Sequence, residues 1–185
     1  MDRLDSHDDK LLAQPDFYQA VYNSPIGKIL LVGTTDALCG LWFEGQKYFG
    51  ADLAGFAPVA AKPAVLIEAL GWLDDYFAGR PSSCNFALAP AGTVFQQLVW
   101  RILLEVPFGQ TISYGELAHR LAQIYDRPLP SARAVGGAVG HNPIALIIPC
   151  HRVVGASGEL TGYAGGIERK HWLLEHEQRE DNQLG

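Results

Sequence analysis

The chain has 185 residues, 48% of them hydrophobic, and a formal net charge of −6. That hydrophobic content excludes a disordered chain, and the length suffices for one medium domain or two small ones around a real core. No run approaches the roughly 18 apolar residues of a membrane-spanning helix, the opening "MDRLDSHDDK" lacks the apolar stretch of a signal peptide, and three cysteines do not make a disulfide framework.

The expectation is a soluble intracellular protein with free thiols, cytoplasmic or, in a eukaryote, nuclear. It has no membrane association and is a monomer in solution. No CxxC or HxxxH pair supports a zinc site. Residues 1–15 read as a loose polar tail. From Tyr18 to Phe43 the pattern is that of strands, with turns at Ser24-Pro25-Ile26-Gly27 and at Thr34-Thr35-Asp36. "AVLIEALGWLDDYFAG" places Val65, Leu66, Ala69, Leu70, Leu73, Tyr76 and Phe77 on one helical face, closed by Gly79 and then Pro81. "CNFALAPAG" is a short strand leading into a loop. Residues 16–90 thus form a small α+β unit.

After Gly92 the character becomes helical. Thr93 can cap "VFQQLVWRILLEV", which ends before Pro107 and Gly109. Ser113 caps the next helix, "YGELAHRLAQIY", and Glu116 three residues on completes the pattern of a capping box. The loop "DRPLP" leads to Ser131 and a second short helix, "ARAVGGAVG", which ends at Asn142 and Pro143. Two short helices joined by a turn are the pattern of a helix-turn-helix. An apolar run, "IALIIP", reads as a strand and delivers Cys150 beside His151 and Arg152. A glycine-rich stretch and a last helix, "RKHWLLEHEQ", follow. A boundary near residue 90 gives a second domain over residues 91–185. Acidic residues dominate before that boundary. Between residues 100 and 152, Arg101, Arg120, Arg127, Arg133 and Arg152 outnumber Glu105, Glu116 and Asp126, a local balance compatible with a phosphate-facing surface.

Cys39 reads as a small buried hydrophobe and Cys84 as a loop residue. Cys150 has both a base and a cation next to it in sequence. A free thiol has a pKa near about 8.5 and reacts as the thiolate, so either neighbour could activate it. Adjacent residues of an extended strand point apart, however. Taken alone, the better reading is an inert buried cysteine ending a strand. Arg152 is equally a structural ion-pair partner. Glu177 reads as a solvated face residue, and His119, His171 and His176 as ordinary helix-surface residues.

Four segments taken together change that balance. "SYGELA", "ARAVGGAVGHNP", "IPCHRVVG" and "GYAGGIERKHWLLEHE" resemble, in order, the O6-alkylguanine-DNA alkyltransferases, also called methylated-DNA–protein-cysteine methyltransferases. The resemblance covers residues 93–177. A looser one, "SPIGKILLVGTTDALCGLWF", is similar to that family's ribonuclease-H-like N-terminal domain. It implies an α+β fold: a small ribonuclease-H-like domain, then a mostly helical domain containing a helix-turn-helix. The implied activity is repair of double-stranded DNA by single-turnover, irreversible transfer of an alkyl group from O6-alkylguanine, and to a lesser extent O4-alkylthymine, to Cys150. No cofactor is implied.

Residue by residue, the resemblance makes His151 the base acting through a water, Glu177 its orienting carboxylate and Asn142 the hinge between the recognition helix and the active-site segment. Arg133 fills the gap left by the flipped base, with Ala132, Ala134 and Gly136 beside it on the DNA-facing helix. His141 reaches a phosphate. Tyr114 contacts the extruded guanine and the nearby phosphate. The backbone of Cys150 and Val153 accepts from the base's exocyclic amine. Tyr163 and Ala164 lie on the loop closing the pocket. Ala164 stands where many members have serine, and the segment between Tyr114 and Arg133 is several residues longer than usual.

Elementary physics supports this reading beside the resemblance. A base inside a duplex hides its O6 substituent, so it must be extruded at a cost of about a few kcal/mol. A long cationic side chain on a helix of small residues can enter a minor groove roughly 6 Å wide and offset part of that cost. Gly136 and Gly137 weaken the helix by roughly 1 kcal/mol each. Close packing against the core is their competing explanation. Rival functions are a lesion sensor that binds without reacting, which Cys150 argues against, a cysteine hydrolase using Cys150 and His151, and a helix-turn-helix regulator.

Overall fold

The computed structural model describes residues 16–50, 62–80, 83–125 and 128–184. The expected tail, Pro81 and the first two residues of the "DRPLP" loop lie outside them. Three antiparallel strands open the fold: β1 (Tyr18–Ser24), β2 (Gly27–Gly33) and β3 (Ala37–Phe43). Ser24 pairs with Gly27 across a two-residue turn. Gly27 has φ +117°, a conformation that glycine adopts without strain. At the next turn Thr34 Oγ1 accepts from the amides of Asp36 and Ala37. A short β4 (Ala87–Leu88) pairs parallel to β3, giving the order β1-β2-β3-β4. Helix α1 (Ala64–Phe77) covers this sheet with Val65, Leu66, Ala69, Leu73 and Tyr76, all buried. The helical spacing read from sequence is the reason that one face is apolar.

The C-terminal part packs α2 (Val94–Leu103), α3 (Tyr114–Tyr125) and α4 (Ala132–Gly140) against one another. Trp100 Nε1 donates to Ala138 O at 2.9 Å and so joins α2 to α4. Helix α5 (Ile167–Leu184) closes the chain. A two-stranded parallel pair, β5 (Ile112–Ser113) and β6 (Val153–Val154), brings the start of α3 beside the cysteine segment. The architecture is therefore mixed α+β, a sheet unit followed by a helical one, and their buried apolar residues form one continuous core.

Two expectations about local structure are corrected. Residues 144–149 are not a strand. They form turns, with one bridge from Ile144 to Leu41 of β3 and with Leu146 at φ +68°. The run is bracketed by Pro143 and Pro149 and buried on all sides, so its hydrophobicity reflects burial rather than a ladder partner. Ile148 N is satisfied locally by Ile144 O at 3.0 Å and Cys150 N by Ile148 O at 2.8 Å, whereas Ala145 N reaches Leu41 O of β3 at 2.9 Å. The capping box expected at α3 is half formed: Ser113 Oγ accepts from Glu116 N, but the Glu116 carboxylate takes Arg120 four residues on. The complete box is at α2, between Thr93 and Gln96.

Candidate active site

Cys150 opens a single 3₁₀ turn, Cys150–Arg152. That turn replaces the alternation of a strand, and it is why two neighbouring side chains can serve one site. The thiol is buried, and burial pushes it up to about 11 even though a hydrogen bond from Asn142 and the charge of Lys170 both favour the thiolate. At neutral pH the resting group is therefore the protonated thiol.

Asn142 fixes the position of the sulfur. Its amide Nδ2 donates to Ile148 O at 2.7 Å and to Cys150 Sγ at 3.0 Å, and its Oδ1 accepts from Ile144 N at 3.0 Å. One buried side chain thus holds both ends of the turn-rich segment, and that segment docks on the N-terminal sheet through Leu41, Pro143 and Ala145.

The second half of the site is a buried carboxylate with five donors. Glu177 Oε1 is 2.7 Å from His151 Nε2, 2.9 Å from Arg152 Nη2 and 2.8 Å from Tyr76 Oη. Glu177 Oε2 accepts from Arg152 Nε at 2.8 Å and from the Gly109 amide at 3.1 Å. Arg152 also donates Nη1 to Val106 O. Burial alone would raise the Glu177 carboxyl, but His151 and the forked contact with Arg152 outweigh it and hold it well below the usual carboxylate range. Burial lowers His151 despite Glu177, so its resting form is neutral. An ionised Glu177 makes Nε2 the protonated nitrogen, and His151 Nδ1 is left as a buried acceptor without a partner among the described residues. A buried ion pair this well satisfied avoids the penalty that an incomplete one carries.

Lys170 is fully buried and donates Nζ to Val153 O and to Thr161 O. Val153 N in turn donates to Cys150 O, so each of the two backbone carbonyls expected to face a base already has one donor. Tyr114 opens α3; its hydroxyl accepts from Thr161 Oγ1 at 3.3 Å. The Tyr163 ring meets the His151 ring edge to face at 6.5 Å, and its buried hydroxyl has no partner among the described residues. Ala164 O accepts from Lys47 N of the loop after β3.

On α4 the buried residues are Val135, Ala138 and Val139, whereas Ala132, Arg133, Ala134 and Gly137 are exposed. A Cβ placed on Gly137 meets nothing within 4 Å, and one on Gly136 meets only Tyr114 Cε1 at 3.9 Å. Close packing against the core is therefore not what requires these glycines. His141 caps α4, donates from Nδ1 to Gly137 O at 2.7 Å and stacks on Tyr48 of the N-terminal unit at 4.0 Å.

Two family models match the chain: the ribonuclease-like domain of 6-O-methylguanine DNA methyltransferase over residues 17–90 and its DNA-binding domain over residues 94–179. The chain belongs to this family. A methylated-DNA–protein-cysteine methyltransferase of Mycobacterium tuberculosis is 46% identical over 156 residues, 84% of this chain and 89% of the relative. One of Methanosarcina acetivorans is 40% identical over 86% of this chain and 97% of its own length. A crystal structure of Mycobacterium tuberculosis OGT in complex with DNA is similar with a TM-score of 0.75 and 44% identity, covering 89% of this chain and 94% of that one.

Within the family's DNA-binding region, the structure brings Cys150, Asn142, His151 and Glu177 together and places Arg133 apart from them, on the open face of α4. Sequence reasoning missed Tyr76, Gly109 and Lys170. No local pattern marks Tyr76, which lies 101 residues before its partner. Lys170 carried one signal, a cation within the buried face of α5. His176 is not an ordinary surface residue: it stacks on Trp172 at 4.9 Å and bonds Tyr76 O at 2.8 Å, joining α5 to α1.

Proposed function

We propose that this protein repairs DNA by moving the alkyl group of O6-alkylguanine in a duplex onto Cys150 Sγ, once per molecule. The observation that carries the reading is the pairing of a buried, protonated thiol held by Asn142 with a neutral His151 whose Nδ1 is unused and whose Nε2 is committed to Glu177.

In the proposed step, the thiol proton passes through a water to His151 Nδ1, and the imidazolium is stabilised by ionised Glu177. The sulfur attacks the alkyl carbon, forming the S–C bond as the C–O6 bond breaks. The electron pair leaves with guanine, and the Tyr114 hydroxyl donates toward the departing base as charge develops. The product thioether has no second nucleophile to cleave it, so the protein is spent. The buried sulfur cannot reach a stacked base, which supports eversion of the lesion, with Arg133 entering the gap and the small exposed face of α4 lying in the minor groove. O4-alkylthymine is a lesser substrate in this reading.

The test is a single-turnover assay with duplex carrying a labelled O6-methylguanine, under reducing conditions. Incorporation rises to a plateau of one label per chain and is abolished by Cys150→Ser. Release of free alkyl product over many turnovers would instead indicate a hydrolase.

A further inference from the structure

Tyr76 belongs to the last turn of α1, in the N-terminal unit, yet its hydroxyl ends on the carboxylate of α5 that also holds His151. Its ring is fixed on several sides: Trp72 stacks at 5.3 Å, Phe108 meets it edge-on at 5.9 Å, and His176 lies at 5.6 Å while bonding the Tyr76 carbonyl. The hydroxyl is therefore aimed rather than free to rotate away. It donates to Glu177 Oε1, the same oxygen that faces His151 Nε2.

A phenylalanine would fill the same space, so packing does not require the oxygen. Neutralising Glu177 does not require it either, since Arg152 already contacts both carboxylate oxygens. Burial holds the phenol well above its ordinary range, which keeps it a donor throughout the pH range in which proteins work. A donor on Oε1 withdraws negative charge from the atom that steadies the imidazolium. We infer that Tyr76 is a positioning residue of the alkyl-transfer site, one that orients Glu177 and limits how basic Glu177 makes His151, so that the N-terminal unit supplies part of the proton relay. This inference rests on the alkyl-transfer reading above.

The charged and titratable groups around the relay are His151, Arg152 and Glu177 themselves, Lys170 and Tyr163 on the Cys150 side, and His176 against the Tyr76 ring. Of these, only the two imidazoles ordinarily titrate between pH 5 and 8.

The experiment is the pH dependence of the single-turnover rate on an O6-methylguanine duplex, from acid to mildly alkaline. His151 must be neutral to take the thiol proton. Removing the hydroxyl leaves Glu177 Oε1 more negative and His151 more basic, so Tyr76→Phe moves the acid limb to higher pH. The expected shift is about half a pH unit, which slows the reaction about threefold on that limb and leaves the alkaline plateau within about twofold. Tyr76→3-fluorotyrosine, a stronger donor, moves the limb the other way and decides the matter alone if the Phe variant does not fold. The same displacement in a His176→Gln background assigns it to His151. Profiles that superpose on wild type, or that fall by one factor at every pH, overturn the inference while leaving the parent reading intact. A wild type that accepts no alkyl group sinks both.

Discussion

The Cys150–Glu177 region and the outward face of α4 are built on opposite rules. In the first, Asn142, Cys150, His151, Arg152 and Glu177 are all buried, and the key carboxylate has five donors drawn from three parts of the chain. In the second, small side chains and two glycines leave open space above the backbone, and a long cation stands exposed. The contrast teaches where this fold places rigidity. The chemistry sits in a network that cannot shift without stranding a charge, while the surface proposed to meet DNA gives up helix stability to stay thin.

Breaking the network has the largest expected effect. Glu177→Ala leaves Arg152 buried and unpaired, and urea denaturation should show a loss of about 3–5 kcal/mol. Asn142→Ala removes the donor on the sulfur and strands the Ile144 amide; the expected cost is about 1–3 kcal/mol in the same measurement, with a larger relative fall in transfer rate.

Acid sharpens the same contrast. His151 is held below its ordinary range and Glu177 far below its own. The unfolded chain therefore takes up protons first, as pH falls through about 6.5 and then about 4.3. Stability present above those values is lost progressively below them, and thermal melts at neutral pH, pH 5 and pH 4 should fall in that order.

The α4 face answers differently. Arg133→Ala should leave stability within about 0.5 kcal/mol, as an exposed substitution does, while slowing transfer from duplex DNA far more than from a free modified base. Gly137→Ala has the smallest effect and the most telling sign. The added methyl meets nothing within the protein, so the fold should gain about 0.5–1 kcal/mol while duplex affinity drops. A gain in stability with no loss of DNA binding would end the groove-fitting account of these glycines.

Much of this was legible in the sequence. The hairpin turn at Ser24 and Gly27, the apolar face of α1 and the Thr93 and Ser113 caps are local signals, and local physics produces them. The run from Ile144 to Ile148 misled because hydrophobicity marks burial, not backbone shape, and the prolines at either end were the better guide. Glu177 was recognisable only by resemblance: a carboxylate on a helix reads as solvated until its partners are known. The roles of Tyr76 and Lys170 at the site were hidden for the same reason, since the contacts that give them meaning join α1 and β6 to α5 across long stretches of chain.

The most direct test of the central claim is peptide mass mapping after exposure to excess O6-methylguanine duplex in the presence of reductant. The account predicts that the peptide bearing Cys150 carries one methyl group in place of the thiol proton, in essentially every molecule, with Cys39 and Cys84 unchanged. An unmodified Cys150, or methylation spread over the other cysteines, would contradict it.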